Sequence, residues 1–147
     1  MDALQLLRQD HQAVKDLFEQ VDGAEDGKQR KRIFDQIDTQ LNIHAHIEET
    51  VFYPEMRKIE ELKEMVEEAL QEHQEVKTLL EEIEGLDPEG EEFSASLEEL
   101  IENVEHHVAE EEDEMFPKVR EQCDQAALDR LGDQLESAKG KQQRQAV

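Results

Sequence analysis

The sequence is poor in the residues that stabilise disulfide-rich and thiolate-metal proteins. It contains a single cysteine, Cys123, no tryptophan and only 4% aromatic residues. One cysteine cannot form an internal disulfide or a thiolate metal cluster, and we interpret Cys123 as an incidental thiol. Only 6 glycines and 3 prolines punctuate the 147 residues. Because a sheet protein with many turns needs more of both, the chain is predicted to be all-α.

Positive charge and long apolar runs are also scarce. The chain carries 16 Lys and Arg against 40 Asp and Glu, which gives a net charge of −24 at pH 7. Nucleic acids and anionic membranes bind through basic residues, so neither is an expected partner. The sequence has no apolar run of the roughly 18 residues that a membrane span needs, and its first residues do not resemble a signal peptide. We therefore expect a cytoplasmic protein.

Apolar residues recur with the helical period in four long segments. These cover residues 4–21, 28–54, 62–83 and 93–117, and residues 55–59 continue the second beyond a kink at Pro54. A shorter pattern at 127–135 predicts a short fifth helix, followed by a polar tail, residues 137–147, that is expected to fray. We predict a four-helix bundle in residues 1–122, with the C-terminal helix and tail, residues 123–147, packed on or trailing it.

The bundle is predicted to consist of two similar halves. Residues 10–17 align with residues 72–79, with five of eight positions identical, and residues 44–54 align with residues 107–117. The offset is 62 for the first pair of segments and 63 for the second. Two helical hairpins related by pseudo-twofold symmetry explain this repeat most simply.

Six side chains with metal-binding chemistry fall on the apolar stripes of these helices. They are His11, His44, Glu48, His73, His107 and Glu111. A residue four positions along a helix lies about 40° around the axis, so each His-x-x-x-Glu presents an imidazole and a carboxylate on one stripe. A single histidine on such a face is usually an ordinary core residue. Four histidines in repeat-related pairs, two of them with a carboxylate, instead predict a metal site.

The composition of this set limits the metal. Burying ionised carboxylates and imidazoles without a cation is costly, and no Arg lies on the aligned faces to neutralise them. Nitrogen and oxygen donors without sulfur suit iron, manganese or zinc. Two carboxylates placed to bridge favour two metal ions over one.

The doubled motif resembles a known family. His11, His44-x-x-x-Glu48, His73 and His107-x-x-x-Glu111, with Glu-Glu-x-x-Phe-Tyr-Pro and Glu-Glu-x-x-Met-Phe-Pro in the second helix of each half, resemble the hemerythrin-like HHE cation-binding domain over residues 1 to about 122. The resemblance implies an up-down-up-down bundle. It also implies two non-haem iron ions, bridged by an oxo or hydroxo group and by Glu48 and Glu111, with the four histidines as terminal ligands. Zinc and manganese remain possible substitutes.

The resemblance also implies a function. Short stand-alone members suggest a di-iron protein that binds or reacts with O2, peroxide or NO in redox or stress responses, as a monomer or homodimer. Oxygen-carrying hemerythrins have a second histidine where this chain has Lys77, so one position stays open on each iron. A peroxidase-like, catalase-like or NO-handling enzyme is one reading; a reversible O2 or iron binding or sensing protein without turnover is the alternative. A structural bundle with adventitious zinc is a third.

Several nearby residues receive secondary roles. Lys15 and Lys77 are predicted to extend to the surface and pair with carboxylates there. The alternative is an ammonium group near a bound peroxide or nitrosyl, since each lysine lies about 40° around the helix from its histidine. His46 and His106 are predicted to lie at the surface or behind the ligands, with His106 the better substitute ligand. Tyr53 is predicted to face away from His44. Glu114 is predicted to be a rim residue of an acidic helix, with an extra ligand or an ion-entry carboxylate as the alternative. Four acidic residues are unassigned candidate acceptors for the second ring nitrogens of the predicted ligand histidines: Asp10, Glu49, Glu72 and Glu112.

Overall fold

The computed structural model describes residues 1–145, which are helical almost throughout. The helices are α1 (Ala3–Asp22), α2 (Gly27–Ile47), α3 (Tyr53–Arg57), α4 (Lys63–Glu84), α5 (Glu91–Glu110), α6 (Phe116–Gln122) and α7 (Gln125–Gln145). A short 3-10 turn, Glu60–Leu62, precedes α4. Within residues 1–145, none of the helices combines the length and the apolar character that a membrane span requires.

The long helices form two hairpins. α1 packs against α2, and α4 packs against α5. The side chain of Asp2 accepts a hydrogen bond from the backbone N–H of Gln5 at 2.9 Å and so begins α1, while Gly23 and Gly85 end the first helix of each hairpin. The predicted all-α bundle of two helical hairpins is confirmed.

Both hairpins contain a π-helical turn in the second helix. The turns are Glu48–Phe52, between α2 and α3, and Glu111–Met115, between α5 and α6. Pro54 and Pro117 follow shortly after them, and because proline has no N–H it cannot complete a regular α-helical turn there. Each π turn adds one residue and so rotates all following side chains by about 100° relative to an unbroken α-helix.

Tyr53 is turned by the first of these π turns. Its side chain is buried, at 1% exposure, and faces the interior of the bundle near His73. The prediction that Tyr53 faces away from His44 is therefore wrong, because it holds only for a helix without a π turn.

Two apolar clusters fill the interior, one towards each end of the bundle. One contains Leu7, Ile47 and the aromatic residues after the π turns; the other contains Val14, Leu41 and residues near the α4–α5 connection. The predicted ligand histidines lie between the two clusters on each long helix. This position removes the imidazoles from bulk water without placing them in a continuous apolar layer.

The C-terminal helix is longer than predicted. α7 continues without a break to Gln145, so the residues from 137 to 145, expected to fray, are helical; the last two residues of the predicted tail lie outside the described residues. Leu128, Leu131 and Leu135 are buried, and α7 packs on α1, α2 and the first π turn. Lys139 in the same helix donates a hydrogen bond to Asp10. Tertiary contacts thus hold a polar segment that has little apolar pattern of its own.

Gly132 allows this close packing. A Cβ atom at this position would lie 2.4 Å from the carbonyl oxygen of Met1.

We expect Gly132→Ala to destabilise the protein by about 1 to 3 kcal/mol and to lower the melting temperature by several degrees. The matched control is Gly140→Ala in the same helix, where the nearest atom is the side-chain Nη1 of Arg144 at 3.4 Å. This control should gain about 0.5 to 1 kcal/mol from helix propensity. Equal melting temperatures for the two variants would contradict the close contact.

Candidate metal centre

The six predicted ligand residues lie together in the centre of the bundle. His11, His44, His73 and His107 come from α1, α2, α4 and α5 respectively, and Glu48 and Glu111 are the first residues of the two π turns. All six are buried, with Glu48 at 0% and Glu111 at 2% exposure. The sequence spacing therefore brings together side chains from four separate helices.

The histidines form two pairs, one in each hairpin. The ring centroids of His11 and His44 are 4.9 Å apart, and those of His73 and His107 are 4.8 Å apart. Nε2 of His73 lies 3.2 Å from Nε2 of His107. Each ring points its Nε2 atom at the interior, so each pair offers two nitrogen donors to one point.

Each carboxylate lies between the two pairs. Glu111 places Oε1 3.1 Å from Nε2 of His11 and Oε2 3.4 Å from Nε2 of His107. Glu48 places Oε1 3.1 Å from Nε2 of His44 and 3.2 Å from Nε2 of His73. Both carboxylates thus contact one histidine of each hairpin.

Several of these buried polar atoms have no hydrogen-bond partner within residues 1–145. They are Nε2 of His11, Nε2 of His44, both carboxylate oxygens of Glu48 and Oε1 of Glu111. The contact between His44 and Glu48 is short in distance but lacks hydrogen-bond geometry. An unsatisfied buried polar group is costly, and a bound cation would satisfy all of these atoms at once. The residues present therefore fit a metal centre of nitrogen and oxygen donors.

Every ligand histidine has a carboxylate on its other ring nitrogen. The distances from Nδ1 are 2.6 Å for His11 to Glu112, 3.0 Å for His44 to Asp10, 2.9 Å for His73 to Glu49 and 2.7 Å for His107 to Glu72. A carboxylate at Nδ1 fixes the ring orientation and makes Nε2 the stronger ligand.

These outer carboxylates follow the pseudo-twofold symmetry. Asp10 and Glu72 occupy equivalent positions in the repeat and bond a histidine of their own hairpin. Glu49 and Glu112 are also equivalent, but each bonds a histidine of the opposite hairpin. The sequence placed all four near the ligands without assigning them, because these bonds join different helices.

The carboxylates also control protonation in the metal-free cluster. Burial lowers the pKa of His44, but the charge of Glu48 and the hydrogen bond with Asp10 outweigh burial and raise this pKa to about 10. Burial likewise raises the pKa of Glu111, yet its contacts with His107 and His11 hold the pKa well below its usual value. A cation that binds here must displace protons from the imidazoles, so its binding depends on pH.

Tyr53 belongs to the cluster, and the sequence analysis missed it. Its hydroxyl donates a hydrogen bond to Oε2 of Glu111 and lies 3.3 Å from Nε2 of His73. Burial and the charges of Glu111 and Glu48 raise the pKa of Tyr53 well above its usual value, so the hydroxyl stays protonated. The signal that could have found it is the proline after the aromatic pair, which indicates a disturbed helix.

The other residues considered in the sequence lie outside the cluster. His46, Lys15, Lys77 and Glu114 are exposed. The side chain of His106 is 67% exposed, and its Nε2 lies 2.8 Å from Glu110 on the surface of α5. His106 therefore does not reach the buried ligands.

Comparison with known families agrees with this geometry. The hemerythrin HHE cation-binding domain matches residues 2–119. The chain belongs to the hemerythrin HHE cation-binding domain family. The resemblance predicted from the doubled motif is confirmed, and α7 lies beyond the matched part of this HHE protein.

The HHE domain is similar to two curated proteins and one solved structure. It is 30% identical over 141 residues to a DNA nickase of Nostoc sp., covering 96% of this chain and 40% of that protein. It is 33% identical over 110 residues to an uncharacterized hemerythrin-like protein of Schizosaccharomyces pombe, covering 74% of this chain and 54% of that protein. The chain therefore spans about half or less of each curated relative.

The fold of the HHE domain is also found in a crystal structure. A hemerythrin HHE cation-binding domain-containing protein from Mycobacterium kansasii superposes with a TM-score of 0.87 at 24% identity. The match covers 99% of this chain and 90% of that one, so it includes α7. At this identity the likeness concerns the fold.

Proposed function

We propose that this protein holds two iron ions and binds or reacts with O2, peroxide or NO in redox or stress responses. The main support for this proposal is the pair of buried carboxylates, each in contact with one histidine of each hairpin. His11 and His44 would hold one ion, His73 and His107 the other, and Glu48 and Glu111 would bridge them. Manganese and zinc are possible substitutes, because both also bind imidazole nitrogen and carboxylate oxygen.

The chemistry of the site would come from the iron pair, which supplies electrons to a small oxidant or binds it reversibly. The chain supplies the ligands, their orientation and a dry environment. The carboxylates at Nδ1 hold the rings in place, and the protonated Tyr53 hydroxyl holds a proton at Oε2 of Glu111. These groups fix the ligand geometry before any small molecule binds.

A small cavity beside the histidines supports a small ligand. Its volume is about 40 Å³, which suits a diatomic molecule or peroxide. One apolar residue from each long helix lines it beside that helix's histidine: Val14, Leu41, Val76 and Val104. Lys15 and Lys77 do not line it; they border outer grooves, one on each side of the bundle. The lining residues include no Lys or Arg, so the cavity favours a ligand that needs no cationic side chain beside it.

Reversible binding of O2 or iron without turnover is the second candidate. The observation that favours it is the apolar lining of this cavity, because a bound molecule there has few proton donors beside it. Catalysis on peroxide usually benefits from a positioned acid or base. Tyr53 is the nearest protonated hydroxyl, but its contact is with Glu111.

The two candidates are separated by spectroscopy on protein loaded with Fe(II) without oxygen. After O2 is added, an oxo-to-iron absorption that disappears on degassing indicates a carrier or sensor. Irreversible oxidation together with consumption of added peroxide indicates an enzyme. Metal content well below two irons per chain, with no gain in melting temperature on adding Fe(II), would refute the iron pair altogether.

We further propose that nucleic acid is not a partner of this chain. The Nostoc relative is named a DNA nickase, but this chain covers only 40% of that protein. A net charge of −24 would repel the phosphate backbone, and only 16 Lys and Arg are present to oppose that repulsion.

A further inference from the structure

The two hairpins differ at one pair of equivalent faces. Beside α1 and α2, this face is apolar, and α7 packs over it. Beside α4 and α5, the equivalent face is an opening of about 270 Å³ lined by glutamates. Glu68, Glu110 and Glu114 stand where the first hairpin has Leu6, Ile47 and Val51. The two equivalent faces therefore differ in charge, and only the face of the first hairpin is covered by α7.

The opening, lined chiefly by Glu64, Glu68, Glu72, Glu110 and Glu114, leads from the surface to the metal ligands. Three of these glutamates are exposed and form its rim, while Glu72 and Glu110 are half-buried further in. Its lining also includes the buried ligands His107 and Glu111. Oε1 of Glu111 is one of the buried atoms without a hydrogen-bond partner among the described residues. The glutamates thus line an opening whose lining includes a buried carboxylate with an unsatisfied oxygen.

A second group of donors lies at the surface beside the two inner glutamates, Glu72 and Glu110. Nε2 of His106 is 2.8 Å from Oε1 of Glu110 and 3.8 Å from Oε2 of Glu72. The other oxygen of Glu72 bonds His107 at 2.7 Å. This set of two carboxylates and one imidazole suits a divalent first-row metal and directly adjoins a ligand of the buried centre.

The other large grooves that reach the histidines have a different charge. In these grooves basic and acidic side chains are mixed. The groove beside His11 carries Arg8 and Lys15 with Glu105 and Glu112, and the groove beside His73 carries Lys77 with Asp38 and Glu49. Among the lining residues of the glutamate opening, all within residues 1–145, there is no Lys or Arg. Since a cleft lined by one sign of charge raises the local concentration of the opposite ion, the glutamate opening is the favourable approach for a cation.

We infer that this opening is the route by which Fe(II) reaches the buried ligands, with Glu72, His106 and Glu110 as a transient binding site on the way. The inference rests on the proposed metal pair. It assigns a role to Glu114 and His106, which lie outside the buried cluster. α7 closes the equivalent face of the other hairpin, so the structure provides this approach on one side only.

The test measures how fast metal-free protein takes up Fe(II) under anaerobic conditions. Tyr53 is the single tyrosine and the chain has no tryptophan, so its fluorescence reports directly on the cluster. The variant Glu64→Gln/Glu68→Gln/Glu114→Gln removes three rim charges without touching a proposed ligand. The control Glu81→Gln/Glu82→Gln/Glu98→Gln removes three exposed charges from α4 and α5 of the same hairpin, away from the opening.

We expect the rim variant to load about tenfold more slowly than the unaltered protein at low salt, with the same final iron content. The control should load within about twofold of the unaltered protein. Near 1 M salt the difference should disappear, because screening then acts within about 3 Å. Equal rates in both variants, fast or slow, would overturn the access route while leaving the metal pair intact. No uptake by the unaltered protein would overturn both.

Discussion

Glu48→Ala is expected to lower the iron content of the purified protein from two ions per chain to below one. Glu48 contacts a histidine of each hairpin and both of its oxygens lack hydrogen-bond partners among residues 1–145, so its removal takes a ligand from both proposed ions. Loss of a bridging ligand from a buried site cannot be compensated by water as easily as loss of a surface group. Metal analysis after loading with Fe(II) and desalting measures the effect.

The matched control for this change is His46→Ala. His46 lies two residues away on α2 but is exposed and takes no part in the cluster. Its iron content should stay near that of the unaltered protein. Glu111→Ala should behave like Glu48→Ala, since Glu111 also contacts both pairs. Similar losses in Glu48→Ala and His46→Ala would refute the ligand assignment.

The metal-free protein is expected to lose stability as the pH rises from about 6.5 to about 10. The pKa of His44 is raised from 6.5 to about 10 in the fold, so its contribution to stability is complete below pH 6.5 and is lost as the pH passes through 10. The pKa values of His11, His73 and His107 are raised as well, because their carboxylate partners outweigh burial. His44 alone contributes a few kcal/mol, or roughly ten degrees in melting temperature.

The metal-loaded protein should respond differently. Imidazoles bind metal in the neutral form, so the charged pairs that stabilise the metal-free cluster are absent and the alkaline loss should be small. At low pH the metal-loaded form should lose more stability than the metal-free form, because protons compete with the metal for the histidines. Thermal melts of both forms from pH 5 to pH 10 measure this. A metal-free protein whose stability stays constant between pH 6.5 and 10 would contradict the role of the carboxylates.

The two halves of the chain show how duplication and divergence combine. The four proposed ligand histidines and their Nδ1 carboxylates keep the pseudo-twofold arrangement, since each proposed cation would need the same donors. The outer faces are free to differ. The face beside α1 and α2 is covered by α7, in which Lys139 donates a hydrogen bond to Asp10 of α1. The face beside α4 and α5 carries the glutamate opening.

The helices and the six proposed ligands could be predicted from the sequence because they depend on local periodicity. A residue four positions further along a helix lies on the same face whatever the rest of the fold does. The repeat then indicates that two such faces meet. Composition, by itself, already excluded a sheet protein and a thiolate site.

Only the tertiary structure decided the features that depend on contacts between helices. The Nδ1 partners join residues up to 101 positions apart, such as His11 and Glu112, and helical period carries no information about them. Tyr53 entered the site because a π turn shifted its face, and α7 reached Gln145 because Gly132 and Lys139 dock it on α1. The high acidity seen in the composition likewise has two physical roles: most carboxylates are solvated, whereas the few inside hold histidines and surround a proposed cation site.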